Sequence, residues 1–415
     1  MRKVPKLRFK EFSDEWEEFY IKDLVKNKII EKPLDGNHGN LHPTSSDYVE
    51  KGIPFIMAND IINDRIDFKN CKKISKNLAQ TLQKGFAKTN DVLLTHKGTL
   101  GRTCIVPELN YDYIILTPQV TYYRIIVKEK LKNTFLKNYF NSNEFVKNLV
   151  KIGASGTRPY IGILEQLNLK IAFPSIQEQE KIANFLSSVE KKISLTEEKL
   201  ELFREYKKGV MQKIFSQELR FKDSNGNDYP EWEEKRLGDI LIKNKEKNKN
   251  NQYILVQSIS NKYGFVNQEE YFEDRKIASN NLSNYYIVKN KNFAYNPSRI
   301  NVGSLAYKKD FSISVISPLY VSFYADNIYV NDIFLLNWFF SLPFYKQMSS
   351  SFEGSVRNNL SYDTLSNFNI LLPILEEQEK IADFLSLIDS KIESIEKELE
   401  GLREFKRGLL QQMFV

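Results

Sequence analysis

Apolar residues recur along one stretch of the chain with the period of a supercoiling helix. Ile182, Leu186, Val189, Ile193, Thr196, Leu200 and Phe203 follow one another in alternating steps of four and three. That spacing keeps a single seam facing a partner helix. The same phase returns at Ile381, Leu385, Ile388, Ile392, Ile395, Leu399 and Leu402. A proline, Pro174 or Pro373, stands just ahead of each run, where its missing N–H costs little. The pattern predicts two long helices, over 177–216 and 376–413. Elsewhere the period changes. Residues 91–106 (DVLLTHKGTLGRTCIV) and 113–127 (YIILTPQVTYYRIIV) carry β-branched and aromatic runs broken by Gly and Pro, which predicts strands and turns. Residues 133–152 have helical spacing. The order repeats as 293–307, 313–324 and a helix through 332–348.

The two seams belong to a duplication. Residues 173–215 and 372–414, aligned without a gap, are identical at 21 of 43 positions. LRFK occurs at 7–10 and 219–222, and EWEE at 15–18 and 231–234. The intervals 19–172 and 235–371 share far less, yet Gly101 corresponds to Gly303, Pro118 to Pro318 and Arg158 to Arg357. The layout predicts an α+β protein made of one unit written twice: 1–172, a lead-in and first divergent domain; 173–216, a first helix; 217–371, a lead-in and second domain; 372–415, a second helix. A helix with an apolar seam needs a partner, and two matching seams in one chain point to each other. Antiparallel pairing would relate the two halves by a pseudo-twofold axis and set the divergent domains apart. Two core helices of separate domains remain the plainer alternative.

Charge sharpens this division. The chain has a formal net charge of +7 over 415 residues. Residues 19–172 are +9 and 235–371 are +5, whereas 173–234 and 372–415 are −3 and −4. All the surplus positive charge therefore lies in the divergent segments, as expected of faces that meet nucleic-acid phosphates. An ordinary solvated surface is the competing explanation. Two loops per copy carry the residues best suited to base edges and phosphates. In the first copy they are Thr95, Lys97, Thr99 and Arg102 around two glycines, then Thr157, Arg158 and Tyr160. In the second they are Ser298, Arg299 and Asn301, then Arg357, Asn358 and Asn359.

Catalytic signatures are missing from the sequence. It contains no Pro-Pro dipeptide, which the aminomethyltransferase turn requires, no G-x-x-x-x-G-K-[ST] loop and no G-x-G-x-x-G. His38 and His42 are four apart, but Gly39 and Pro43 predict a loop there. Two cysteines, Cys71 and Cys104, cannot form a four-cysteine zinc site or a disulfide framework, so a reduced, cytoplasmic protein is expected. The opening MRKVPKLRFKEF has no apolar core of the kind a signal peptide needs.

The doubled Pro-x-x-(Gln/Glu)-Glu-Gln-Glu-Lys-Ile-Ala-x-Phe-Leu opening, the Lys-(Lys/Arg)-Gly and terminal Phe, and the lead-in PKLRFKEFSDEWEE resemble the specificity subunit of bacterial type I restriction-modification systems. The resemblance covers essentially the whole chain. It implies that 19–172 and 235–371 are target-recognition domains, each reading half of an interrupted duplex site, and that the helices form an antiparallel coiled-coil spacer. It also implies two methylation subunits holding S-adenosylmethionine and two motor-nuclease restriction subunits using ATP and Mg, with no cofactor, metal or catalytic residue in this chain. Two readers on one face of the duplex should have half-site centres about 10 bp apart. A self-contained methyltransferase or nuclease, or a coiled-coil scaffold without a DNA-reading role, are the other readings.

Overall fold

The structure is a computed structural model and describes residues 4–153, 159–271, 281–352 and 359–415. The long helices are Ile176–Phe215 and Leu375–Gln412, of 40 and 38 residues. The chain divides into two compact units, residues 1–197 with 397–415, and residues 198–396. Each helix therefore contributes part of its length to each unit, a division that a linear reading of the chain does not contain.

In the first unit, β1 (Glu17–Tyr20) will pair with the last strand of the domain. The domain itself holds β2 (Leu34–Asp35), β3 (Tyr48–Ile56), the hairpin β4 (Ile61–Ile62) and β5 (Arg65–Ile66), β6 (Lys72–Ile74), β7 (Phe86–Ala87), β8 (Val92–Lys97), β9 (Thr99–Ile105), β10 (Ile114–Leu116) and β11 (Val120–Tyr123). It closes with β12 (Lys170–Phe173), antiparallel to β1. Two four-stranded sheets form, ordered β6-β3-β10-β7 and β2-β11-β8-β9. Val92, Leu94 and Tyr123 of the second sheet pack against Phe135, Leu136, Phe140 and Leu149, and Leu93, Val120 and Tyr122 belong to a separate cluster with Val106 and Leu116. This two-faced burial explains why these strands read as continuous apolar runs.

The second unit repeats the order with β13 (Glu233–Arg236), β14 (Leu241–Lys243), β15 (Gln257–Ser260), β16 (Gly264–Asn267), β17 (Tyr286–Val288), β18 (Phe293–Tyr295), β19 (Leu305–Tyr307), β20 (Ser314–Ile316), β21 (Val321–Ala325) and β22 (Asn369–Leu372). Its sheet β14-β21-β18-β19 matches β2-β11-β8-β9, and β13-β22 matches β1-β12. Gly101 and Gly303 both have a left-handed backbone, φ +83° and +91°. A side chain would be strained there, so the glycine persists in both copies.

Two helices expected to be continuous are broken. Residues 133–152 form Asn133–Phe140 and Asn143–Gly153, and 332–348 form Asp332–Trp338 and Leu342–Phe352. At the first break the Ser142 hydroxyl accepts the Phe145 amide, and at the second the Ser341 hydroxyl donates to Trp338 O. A serine that bonds the backbone locally ends one helix and starts the next.

The helix segments run antiparallel within each unit. In the first, Glu190 pairs with Lys406 at 3.0 Å and Glu197 with Arg403 at 2.7 Å. In the second, Lys207 pairs with Asp389 and Arg204 with Glu396, both at 2.6 Å. Leu186, Ile182, Leu385 and Ile381 of the seam are fully buried.

The repeated sequence builds one joint twice. Glu178, at the start of the first helix, is buried and receives the Arg8 Nε and Nη2 donors at 2.7 Å each, with Trp16 Nε1 at 3.4 Å. Glu377 receives Arg220 at 3.0 and 2.9 Å and Trp232 Nε1 at 3.1 Å. Bonding to the carboxylate raises the pKa of both arginines. The adjacent glutamines tie in the domain. Gln179 donates to Pro174 O and Lys130 O and accepts from Lys132 N, and Gln378 donates to Pro373 O and Tyr329 O and accepts from Asn331 N. Lead-in, domain and helix are thereby fixed to one another in each unit.

Candidate nucleic-acid interface

In the first unit the two loops picked out from the sequence meet. β8 and β9 form a hairpin turning at Gly98, whose φ of +77° suits glycine. The Gly98 amide donates to Pro159 O at 2.9 Å, and the Ile161 amide donates to His96 O at 3.0 Å. Lys97 and Tyr160 form a β-bridge, with Lys97 Nζ 5.8 Å from the Tyr160 ring centroid. Lys97 and Tyr160 are exposed and Thr99 is half-buried. Thr157 and Arg158 lie outside the described residues.

Two residues of that hairpin make contacts within the fold, Thr95 from a buried position and Arg102 from an exposed one. Thr95 is fully buried, and its hydroxyl accepts the Arg102 amide at 3.0 Å across the hairpin. The Arg102 guanidinium donates to Ile61 O at 3.2 Å, which fastens β4–β5 to the sheet. Thr95 thus shapes the hairpin from within, and Arg102 spends part of its donor set on the fold.

Beneath the hairpin lies a polar layer. His96 is buried, and its Nδ1 is 2.8 Å from Ile161 O, so Nδ1 carries the proton. Burial is the largest influence on this ring and lowers its pKa. Asp35 is also buried and holds Lys84 and His38, the latter at 2.7 Å. Burial disfavours its charge, but the hydrogen bonds to Lys84 and His38 outweigh that and lower its pKa. His38 is thus engaged by a carboxylate, and a 3₁₀ turn, Gly39–Leu41, separates it from His42. Among the described residues no group of three or more His, Cys, Asp or Glu could hold a metal ion.

The second unit makes the corresponding junction. The Ser298 amide and hydroxyl both donate to Asn296 Oδ1, at 3.1 and 2.9 Å. The loop is joined to the later segment by the Leu360 amide donating to Pro297 O at 3.0 Å and the Tyr295 hydroxyl donating to Leu360 O at 3.0 Å. Ser298, Arg299, Asn301 and Asn359 are all exposed. Arg357 and Asn358 lie outside the described residues. Each unit therefore presents a cation, hydroxyls or amides, and a glycine turn on two loops held together by backbone hydrogen bonds. Such a surface suits phosphate oxygens and base edges.

The joints at Glu178 and Glu377 were not singled out as sites from the sequence. Their signal was the repeat itself, since Arg, Trp, Glu and Gln recur at matching positions of both copies.

Comparison with known proteins places these features. Residues 13–202 and 229–404 match the family described as type I restriction modification DNA specificity domain. The type I restriction enzyme MjaVIII specificity subunit of Methanocaldococcus jannaschii is 24% identical over 421 residues, which is 96% of this chain and 91% of that protein. The crystal structure of a type I restriction-modification system S subunit from M. genitalium shares the fold, with a TM-score of 0.55 at 15% identity over 99% of both chains. A chain from a structure concerned with complex assembly and conformational transition of the type I R-M system has a TM-score of 0.52 at 16% identity, over 95% of this chain and 96% of that one. Among the described residues no helix is long and apolar enough to cross a membrane. With both copies of its repeat matched, this chain belongs to the family of type I restriction-modification specificity subunits.

Proposed function

We propose that the chain reads an interrupted duplex site, one half-site per unit, and directs adenine methylation or restriction carried out by partner subunits. The observation that carries this reading is the repetition of one loop junction, with different exposed residues, in two units built on the same joint. Lys97, Thr99, Arg102 and Tyr160 serve the first half-site, and Ser298, Arg299, Asn301 and Asn359 the second. Thr157, Arg158, Arg357 and Asn358 belong to the same loops by sequence. The surplus positive charge of 19–172 and 235–371 supplies the sequence-independent part of affinity through counterion release.

The two long helices set the spacer between half-sites and dock two methylation subunits. Those subunits bring S-adenosylmethionine, and two restriction subunits bring ATP, Mg and the cutting activity. The chain itself contributes no catalytic residue and acts in the cytoplasm, where the DNA is. A continuous helix of 40 residues spans about 60 Å and has few internal degrees of freedom, which suits a ruler.

Single-molecule sequencing of the host genome tests this with three strains: wild type, a deletion, and a variant with four residues, about one turn, inserted in each long helix. Deletion should abolish adenine methylation at one interrupted motif, and the insertion should change the spacer while both half-sites stay the same. Unchanged methylation on deletion sinks the specificity role. An unchanged spacer in a methylating insertion variant sinks the ruler.

A further inference from the structure

One hairpin occupies the same place in both units but is held differently in each. In the first unit Phe55 and Ile56 run parallel to Ile115 and Leu116, and the chain continues into β4–β5. In the second Val256 makes a parallel bridge with Val315, and the chain continues into β15–β16. The first hairpin's turn is drawn onto the helices. Asp64 pairs with Lys406 at 2.6 Å and Lys137 at 3.2 Å, and those lysines also pair with Glu190. At that turn Asp64, a carboxylate, is already engaged by two cations, beside an exposed Asn63.

The second hairpin's turn is fixed to the reading loop instead. Asn261 Nδ2 donates to Val302 O at 2.8 Å, one residue beyond Asn301. The amides of Lys262 and Tyr263 both donate to Ser260 Oγ at 3.3 Å, and Gly264 follows with φ +68°. The turn is therefore shaped by its own hydrogen bonds and fixed beside Arg299 and Asn301. It displays a Tyr263 ring that is 61% exposed, with Lys262 Nζ 4.9 Å from its centroid. A single exposed aromatic is ordinary. An aromatic and a lysine on a turn fixed to the loop that carries Ser298, Arg299 and Asn301 fit duplex DNA: a phosphate for the ammonium, and a base face, thymine methyl or sugar for the ring.

We propose that the turn at 261–263 is a third DNA-contacting element of the second unit, in which Lys262 neutralises a phosphate and Tyr263 packs on a base or sugar of the second half-site. This rests on the reading that the second unit binds duplex DNA. In the first unit the equivalent turn is instead tied to the helices through Asp64. The two units thus read DNA with different numbers of loops.

The test uses the full chain assembled with its methylation subunits and a duplex carrying its own methylated motif, with affinity measured by fluorescence anisotropy at graded salt. Tyr263→Ala should bind about five- to a hundredfold more weakly at fixed salt, as expected for a lost specific contact. Tyr263→Phe should bind as wild type. Lys262→Ala should make the slope of log affinity against log salt shallower by about one. Asn63→Ala, in the equivalent turn of the first unit, should bind as wild type. If Tyr263→Ala and Lys262→Ala match wild type while Arg299→Ala is weakened, the third element is refuted and the DNA reading stands. If the wild-type complex does not prefer its motif over scrambled duplex, both fall.

Discussion

Replacing Glu178 by glutamine isolates what holds each unit together. The carboxylate accepts two arginine donors at 2.7 Å and the Trp16 N–H at 3.4 Å, and the side chains of Arg8 and Glu178 are 10% and 1% exposed. Glutamine keeps the shape but offers one carbonyl oxygen, and its own amide N–H then opposes a guanidinium N–H. One charge-assisted bond is lost and one donor is left facing a donor, each worth roughly 1.5–3 kcal/mol. Removing one partner of a buried ion pair costs about 3–5 kcal/mol by the same reasoning. We expect a destabilisation of about 3 kcal/mol, read by urea denaturation of the full chain. Hydrogen exchange should localise the loosening to residues 7–20 and 170–182. The control is Arg204→Ala on the helix surface, where both partners are nearly half exposed and the loss should stay below about 1 kcal/mol. The double variant Arg8→Met with Glu178→Leu should recover most of the stability, because an apolar pair leaves no charge uncompensated. If Glu178→Gln costs no more than Arg204→Ala, the joint does not fix the lead-in to the helix.

Two further outcomes follow from the same geometry. All three histidines, His38, His42 and His96, lie in the first unit. Burial lowers the pKa of His96, with Asp35 opposing and His38 and Lys97 adding to that effect, so the unfolded chain takes up the proton more readily than the folded one. Stability from this ring is therefore complete above the unfolded value near 6.5 and is lost as pH falls below it. Exchange of β8 and β11 amides, corrected for intrinsic rate, should accelerate between about pH 7 and pH 5; β18 and β21 of the second unit should show no such step, and His96→Gln should reduce it to the part left by His42, whose pKa burial also lowers. Separately, Gly209 and Gly408 sit at matching positions inside the long helices, and nothing lies within 4 Å of a Cβ built at either. Gly209→Ala and Gly408→Ala should each raise stability by about 0.5–1 kcal/mol in urea denaturation, and a loss would show that a side chain does not fit there.

How far the sequence discloses this molecule depends on whether a feature is periodic or directional. The long helices are legible because their seam runs through seven positions, about three heptads, in each copy, and a one-residue offset, 177–216 against Ile176–Phe215, is within ordinary fraying. The breaks at Ser142 and Ser341 were lost because the apolar spacing on either side nearly continues across them, and one hydroxyl decides the matter. The succession of strand runs and then a helix was legible in outline from matching runs in the two copies. Which face each side chain takes was not. Thr95 and Lys97 are both hydrophilic and two apart on one strand, yet Thr95 is buried within the hairpin and Lys97 is exposed beside its turn at Gly98. Arg102 has the chemistry of a reader and is exposed, and the sequence could not show that one guanidinium nitrogen also reaches Ile61 O.

The same distinction explains why the divergent domains resist direct reading while their frame does not. Glu178 and Glu377, with their arginines and tryptophans, perform one task in both units, so the duplication exposes them as identities. The hairpins after Ile56 and Val256 perform different tasks on the same topology. A carboxylate at 64 draws one turn onto Lys137 and Lys406, and an amide at 261 fixes the other to Val302. Nothing in the composition of either turn announces its target, because the partner is supplied by residues 41 to more than 300 positions away. A frame that repeats can be recognised from one sequence. The surfaces it carries differ by long-range pairings, and the proposed reading of two unlike half-sites through one joint requires that freedom in the turns while the joints stay fixed.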